Sequence, residues 1–103
     1  MLYDGAIRFV QAGIEGIEQK NYELANRNLC KARAIVHELI SSLNFEYPLA
    51  NNLVAIYEYM LHRLIESNVN KNVTPAKEVL EHLKELREAW VEASKSLGAG
   101  FAL

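Results

Sequence analysis

The sequence predicts an all-α protein, an antiparallel up-down-up-down four-helix bundle. Two observations carry this. Apolar residues recur in steps of three and four along four separate stretches of the 103-residue chain. The stretches are joined by three short breaks, and short connections between helices of about 20 residues force neighbours to run antiparallel.

The first helix is expected from about Leu2 to Lys20. Leu2, Ala6, Val10, Gly13 and Ile17 share one face, with Phe9 at one edge and Tyr3, Ile7 and Ile14 at the other. Asn21 serves as the break and as the cap of the next helix. The second helix, about Tyr22 to Leu43, places Ala25, Leu29, Ala32, Val36, Leu39 and Leu43 in alternating steps of four and three, the seam of helices packed nearly antiparallel. Asn44 to Tyr47 is the loop, and Pro48 suits the first turn of a third helix running to about Asn68. Thr74 and Pro75 read as N-cap and first residue of a fourth helix to about Ser96, with a seam of Val79, Leu83, Leu86, Trp90, Ala93 and Leu97. Residues 1–97 thus form one bundle domain. Residues 98–103 are expected to be a flexible apolar tail, whose Phe101 and Leu103 have the chemistry to dock on a surface groove.

Bulk properties bound the function. Half the residues are hydrophobic and 23% are charged, which is globular composition, and this length buries roughly 60–70% of the unfolded surface. A net charge of -2 and scattered basic residues argue against nucleic acid or an anionic membrane as a partner. No apolar run approaches the roughly 20 residues of a membrane span, and the stretch from Met1 to Arg8 has no basic leader and carries Asp4, unlike a signal peptide. Cys30 is the single cysteine. It has no intramolecular partner, fits a reducing compartment, and is expected to be a buried structural thiol.

The third helix carries more apolar surface than a surface helix needs. Leu49, Ala50, Leu53, Val54, Ile56, Tyr57, Met60, Leu61, Leu64 and Ile65 cover roughly half its circumference, against an apolar stripe of about 100° for an ordinary surface helix. Either this helix is central and flanked on two sides, or an apolar groove between the second and third helices stays open for an amphipathic partner helix. By contrast, the charges of the fourth helix, such as Lys77, Glu81, Lys84 and Glu85, read as a solvated face.

Catalytic chemistry finds no support. His62 and His82 follow Glu58 and Glu78 by four residues, whereas di-iron bundles use a three-residue Glu-x-x-His step and several inward carboxylates. His37 is followed by Glu38-Leu39-Ile40-Ser41, which does not fit a phosphorelay histidine. Phosphate loops, HExxH and nucleophile elbows are absent from the sequence. The expectation is a non-enzyme with no cofactor and no metal.

Motifs in a fixed order sharpen this. They are Met1-Leu2-Tyr3-Asp4-Gly5-Ala6-Ile7-x-Phe9, Leu39-x-x-Ser42-Leu43-Asn44, Tyr57-x-Tyr59-Met60-x-x-Arg63-Leu64-Ile65-x-x-Asn68 and Leu86-Arg87-x-Ala89-Trp90. Together they span nearly the whole chain, and in this order they resemble the flagellar export chaperones of the FliS family. The resemblance implies a helical bundle of the bacterial cytoplasm that holds the C-terminal segment of flagellin as separated helices. Such binding blocks premature filament polymerisation and keeps the cargo ready for the flagellar type III export apparatus, without nucleotide or metal. Carried over by motif and helical phase, the expected groove residues are Leu39, Ser42, Leu43, Leu53, Ile56, Tyr59, Met60 and Leu64, with Tyr3, Ile7 and Val10 lining the part nearest the N-terminus. The resemblance also implies a short further segment before the Leu-Tyr-Asp-Gly motif, which in family members covers part of the groove when cargo is absent. This sequence starts at the motif, so an exposed groove and self-association through it are expected. A helical adaptor or dimerisation module for another amphipathic helix is the alternative reading.

Overall fold

A computed structural model describes residues 2–96, and within them the chain forms four helices: α1 (Leu2–Glu18), α2 (Tyr22–Ser41), α3 (Pro48–Asn70) and α4 (Val73–Ser96). The tail at 98–103 and the seam position Leu97 lie outside the described residues.

Each connection is fixed by local hydrogen bonding. α1 ends in a Schellman motif: Asn21 N–H donates to Gly16 O at 2.8 Å and Lys20 N–H to Ile17 O at 3.0 Å, with Lys20 in the left-handed region at φ 59. Asn21 then caps α2, its side-chain oxygen accepting from Leu24 N at 3.2 Å, as expected. Pro48 occupies the first turn of α3, where a missing N–H costs nothing. α3 runs two residues further than the polar Asn68–Asn72 stretch suggested, and Lys71 at φ 52 ends it. The capping expected of Thr74 belongs to Asn72, whose Oδ1 accepts from Thr74 N at 3.0 Å. An asparagine there reaches the N–H two residues ahead, so α4 starts at Val73. The buried Ser67 hydroxyl donates to Asn72 O and ties the turn down.

Around the bundle, α1 packs on α2, α2 on α3, α3 on α4 and α4 on α1, while the backbones of the diagonal pairs stay apart. Along the α1–α2 pair, Gly16 faces Ala25, Gly13 faces Leu29 and Gly5 faces Ile35, so residue order falls along α2 as it rises along α1. Glu18 and Asp4 likewise pair with Lys77 and Arg87 of α4. A Cβ added at Gly16 would lie 2.7 Å from Ala25 N, so that glycine sets how closely α1 and α2 approach.

The core holds Ala6, Val10, Ile14 and Ile17 of α1, Ala25, Leu29, Ala32 and Val36 of α2, Tyr57, Met60 and Leu64 of α3, and Ala76, Val79 and Leu83 of α4. Complete burial of each Val, Leu or Met among them contributes about 1.5–3 kcal/mol against conformational entropy. The α2 seam is the one read from periodicity, buried through Val36 and half-buried at Leu39 and Leu43. The α4 seam holds only as far as Leu83. Leu86 is half-buried, Trp90 is 45% exposed and Ala93 is exposed. Past the Asp4–Arg87 pair α4 continues from Glu88 to Ser96, about 13 Å at 1.5 Å per residue.

Candidate functional site

The end of the bundle where α4 overhangs carries an open apolar groove. Leu39 comes from the last turn of α2, Ser42 and Leu43 from the residues just after it, Leu53 and Tyr57 from α3, Leu2 and Tyr3 from α1, and Trp90 from α4. They enclose a cavity of 380 Å³. A second hollow of 230 Å³ shares Ser42, Leu43 and Leu53 with it and extends over Asn44, Tyr47, Leu49 and Ala50. The two form one groove running round the α2–α3 connection, with Phe45, Tyr47 and Leu49 exposed near that connection at 54%, 65% and 62%. Large apolar side chains left this open mark a surface that another chain can cover.

Polar demand in the groove is met internally. The Ser42 hydroxyl donates to Glu38 O at 2.9 Å, the back-bond a serine makes at a helix end, so it asks nothing of an occupant. At the floor, the Tyr3 and Tyr57 hydroxyls lie 2.5 Å apart. Tyr57 is 3% exposed, and burial, reinforced by the bond to Tyr3, pushes its phenol well above the ordinary tyrosine range. The groove floor is therefore neutral.

Of the expected groove residues, Tyr3, Leu39, Ser42, Leu43 and Leu53 come together here. Val10, Met60 and Leu64 do not: each is completely buried in the core. Their positions on the wide apolar arcs made core and groove indistinguishable by phase alone, and the structure assigns all three to packing. Ile7 is half-buried against the core. Ile56 and Tyr59 are 37% and 46% exposed, and Tyr59 faces α4 rather than α2. Its hydroxyl donates to Glu78 Oε1 at 2.7 Å, the same oxygen that Arg63 Nε reaches at 2.8 Å, and its ring stands edge-on to His82 at 6.3 Å. Ile56 lies between Leu53 and Tyr59 around α3, three residues from each, whereas Tyr59 is about 120° from Leu53. Those bonds, first from Tyr59 and then from Arg63, hold the Glu78 carboxyl below its usual range.

Leu2, Tyr57 and Trp90 also line the cavity, though none was among the expected groove residues. For Trp90 the available signal was the step-of-four-and-three seam of α4. A larger cleft of 690 Å³ lies between α1 and α4, but Glu15, Glu18, Lys77 and Glu81 line it with charge.

Among the described residues no three His, Cys, Asp or Glu side chains gather where they could hold a metal ion. Cys30 is exposed, not buried as expected. It lies one residue past the seam residue Leu29, a 100° turn that carries it off the packed face. No helix of the described residues is long and apolar enough to cross a membrane.

The family description "Flagellar protein FliS" matches residues 1–97. The chain belongs to that family. The flagellar secretion chaperone FliS of Bacillus subtilis (strain 168) is 34% identical over 96 residues, a match covering 93% of this chain and 72% of the relative. Its namesake from Escherichia coli (strain K12) is 30% identical over 96 residues, covering 90% and 71%. The one from Salmonella typhimurium (strain LT2) is 31% identical over 97 residues, covering 91% and 72%. The FliS relatives are flagellar secretion chaperones, a chaperone family and not an enzyme family.

Proposed function

We propose that this FliS-family chain is a cytoplasmic flagellar export chaperone, and that its groove takes an amphipathic helix from the C-terminal segment of flagellin. The observation that carries the reading is the open apolar groove of Leu2, Tyr3, Leu39, Leu43, Leu53 and Trp90, left uncovered after the four helices have closed their own core. An apolar groove with an internally satisfied polar rim binds a helix through its i, i+3, i+4 face. Ile7, Ile56 and Tyr59, outside the cavity lining, are proposed contacts for further helices of the same cargo as it wraps around the bundle. The opposed residue order along α1–α2 and α1–α4 supports an up-down-up-down arrangement, which sets the groove at one end. Covering the flagellin segment prevents premature polymerisation, and the loaded chaperone delivers it to the export apparatus.

The test is calorimetric titration of the chain with the C-terminal segment of its own organism's flagellin. One-to-one binding with a gain in helicity and a negative heat-capacity change is expected, because apolar surface is buried as the cargo folds. A well-folded chain that gives no heat and no helicity change with that segment sinks the reading.

A further inference from the structure

Among the described residues, Arg33 is the arginine that the fold leaves without a partner. Arg27, Arg63 and Arg87 each pair with a carboxylate, and Arg8 lies over the Phe9 ring. Arg33 is half-buried, and its Nε is shut off from solvent with no hydrogen-bond partner. We propose that Arg33 receives a carboxylate from the bound flagellin segment, so that the chaperone selects a cargo helix carrying an Asp or Glu among its apolar contact residues. The proposal rests on the flagellin reading and adds a specificity-determining residue to it.

The position of Arg33 follows from its neighbours. Asn26, seven residues earlier and about 20° away around α2, accepts a hydrogen bond from Asn68 Nδ2 of α3 at 2.8 Å. Arg33 therefore lies on the flank of α2 turned to α3, whereas Ile35 meets Gly5 of α1. Leu39 and Leu43 line the end cavity with Leu53, so residue order falls along α3 as it rises along α2. Seven residues back from Asn68 is Leu61, which stands opposite Arg33. The seam there is apolar and incompletely covered: Ile40, Val54 and Leu61 are half-buried and Ile65 is exposed. Through Ile40 it continues into the groove at Leu39 and Leu43. Glu58, three residues before Leu61, forms no ion pair with Arg33.

Charge complementarity names the occupant. A helix that lays its apolar face along the seam strips the remaining water from the guanidinium. Covering that charge unpaired is costly, whereas a carboxylate in reach forms a charge-assisted pair whose two oxygens match the flat fork of arginine. A cargo helix with Lys or Arg at the same place is rejected by the same charge. The spacing is set as well. Arg33 precedes Leu39 by six residues, about 9 Å along α2. A cargo helix anchored over Leu39 and lying along the seam carries its carboxylate about six residues from that anchor.

The experiment titrates the native chain and Arg33→Met, which keeps an apolar stem and removes the charge, with the C-terminal flagellin segment. Arg33→Met is expected to bind about tenfold more weakly while its urea midpoint stays at or above the native value, because the lost charge had no partner in the free protein. Changing each Asp and Glu of the segment singly to Asn or Gln should identify one position that weakens binding to the native chain about tenfold and leaves binding to Arg33→Met unchanged. Lys at that position should then restore binding to Arg33→Glu. Equal affinity of the native chain and Arg33→Met overturns the proposal and leaves the flagellin reading standing. So does a loss of affinity with no carboxylate coupled to it, or with a matching fall in urea midpoint, either of which assigns Arg33 to packing. Dimerisation of the native chain that Arg33→Met abolishes assigns the seam to a second copy and likewise overturns it. A folded native chain that does not bind the segment removes the flagellin reading, and this inference with it.

Discussion

The hydroxyls of Tyr3 and Tyr57 meet at 2.5 Å, joining the first turn of α1 to α3 across a diagonal of the bundle where the two backbones stay apart. This bond places a neutral polar tie under an apolar groove. It also makes the geometry of the groove depend on two residues 54 positions apart.

Tyr57 should leave a signature in the pH dependence of stability. Its folded phenol is raised above the ordinary 10.0 by burial first and by the Tyr3 bond second. Below pH 10 the phenol is neutral in both states and its full contribution is present. Above pH 10 the unfolded chain releases a proton that the folded chain keeps, so stability falls as pH rises. Urea melts between about pH 8 and about pH 11 should fall more steeply for the native sequence than for Tyr57→Phe. At neutral pH that variant should lose about 0.5–1.5 kcal/mol, the net worth of one hydrogen bond.

Gly16 and Gly13 should differ in tolerance. A Cβ at Gly16 meets the Ala25 backbone nitrogen at 2.7 Å, so α2 itself must move. At Gly13 it meets the Leu29 side chain at 2.6 Å, which can turn aside at some cost in core packing. Gly16→Ala should destabilise by about 1–3 kcal/mol despite the better helix propensity of alanine, and Gly13→Ala by less, as read by thermal or urea melting.

Lys20 occupies a left-handed position that glycine fills without strain. It is exposed, so little packing is lost with its side chain. Lys20→Gly should raise stability by about 0.5–1 kcal/mol, measured as a shift in urea midpoint at unchanged slope.

Groove and core can be separated by a pair of substitutions. Leu43→Asp, at a half-buried groove position, should abolish binding of the flagellin segment while circular dichroism keeps the helical spectrum. Leu64→Ala, in the completely buried core, should cost about 2–5 kcal/mol in stability while the folded fraction still binds. If Leu43→Asp binds normally, the groove is not the contact surface.

Periodicity and capping residues determined by themselves that this chain is four helices. The step-of-four-and-three seam of α2, the cap at Asn21 and the turn at Pro48 each act within a few residues, where backbone geometry and side-chain chemistry are local. The motifs also carried the family. What only tertiary structure decided was how the surplus apolar surface is divided. Met60 and Leu53 share the wide arc of α3, yet the neighbours cover Met60 and leave Leu53 at the bundle end, where α1 begins and α4 runs on. Trp90 continues a buried seam in sequence but stands half-exposed, because there it lines the open cavity with Leu2, Tyr3 and Leu53 instead of meeting a closed core. Helical phase states which side of a helix is apolar. Relative helix lengths and the points where helices start decide how much of that side is covered, and those are properties of several helices at once.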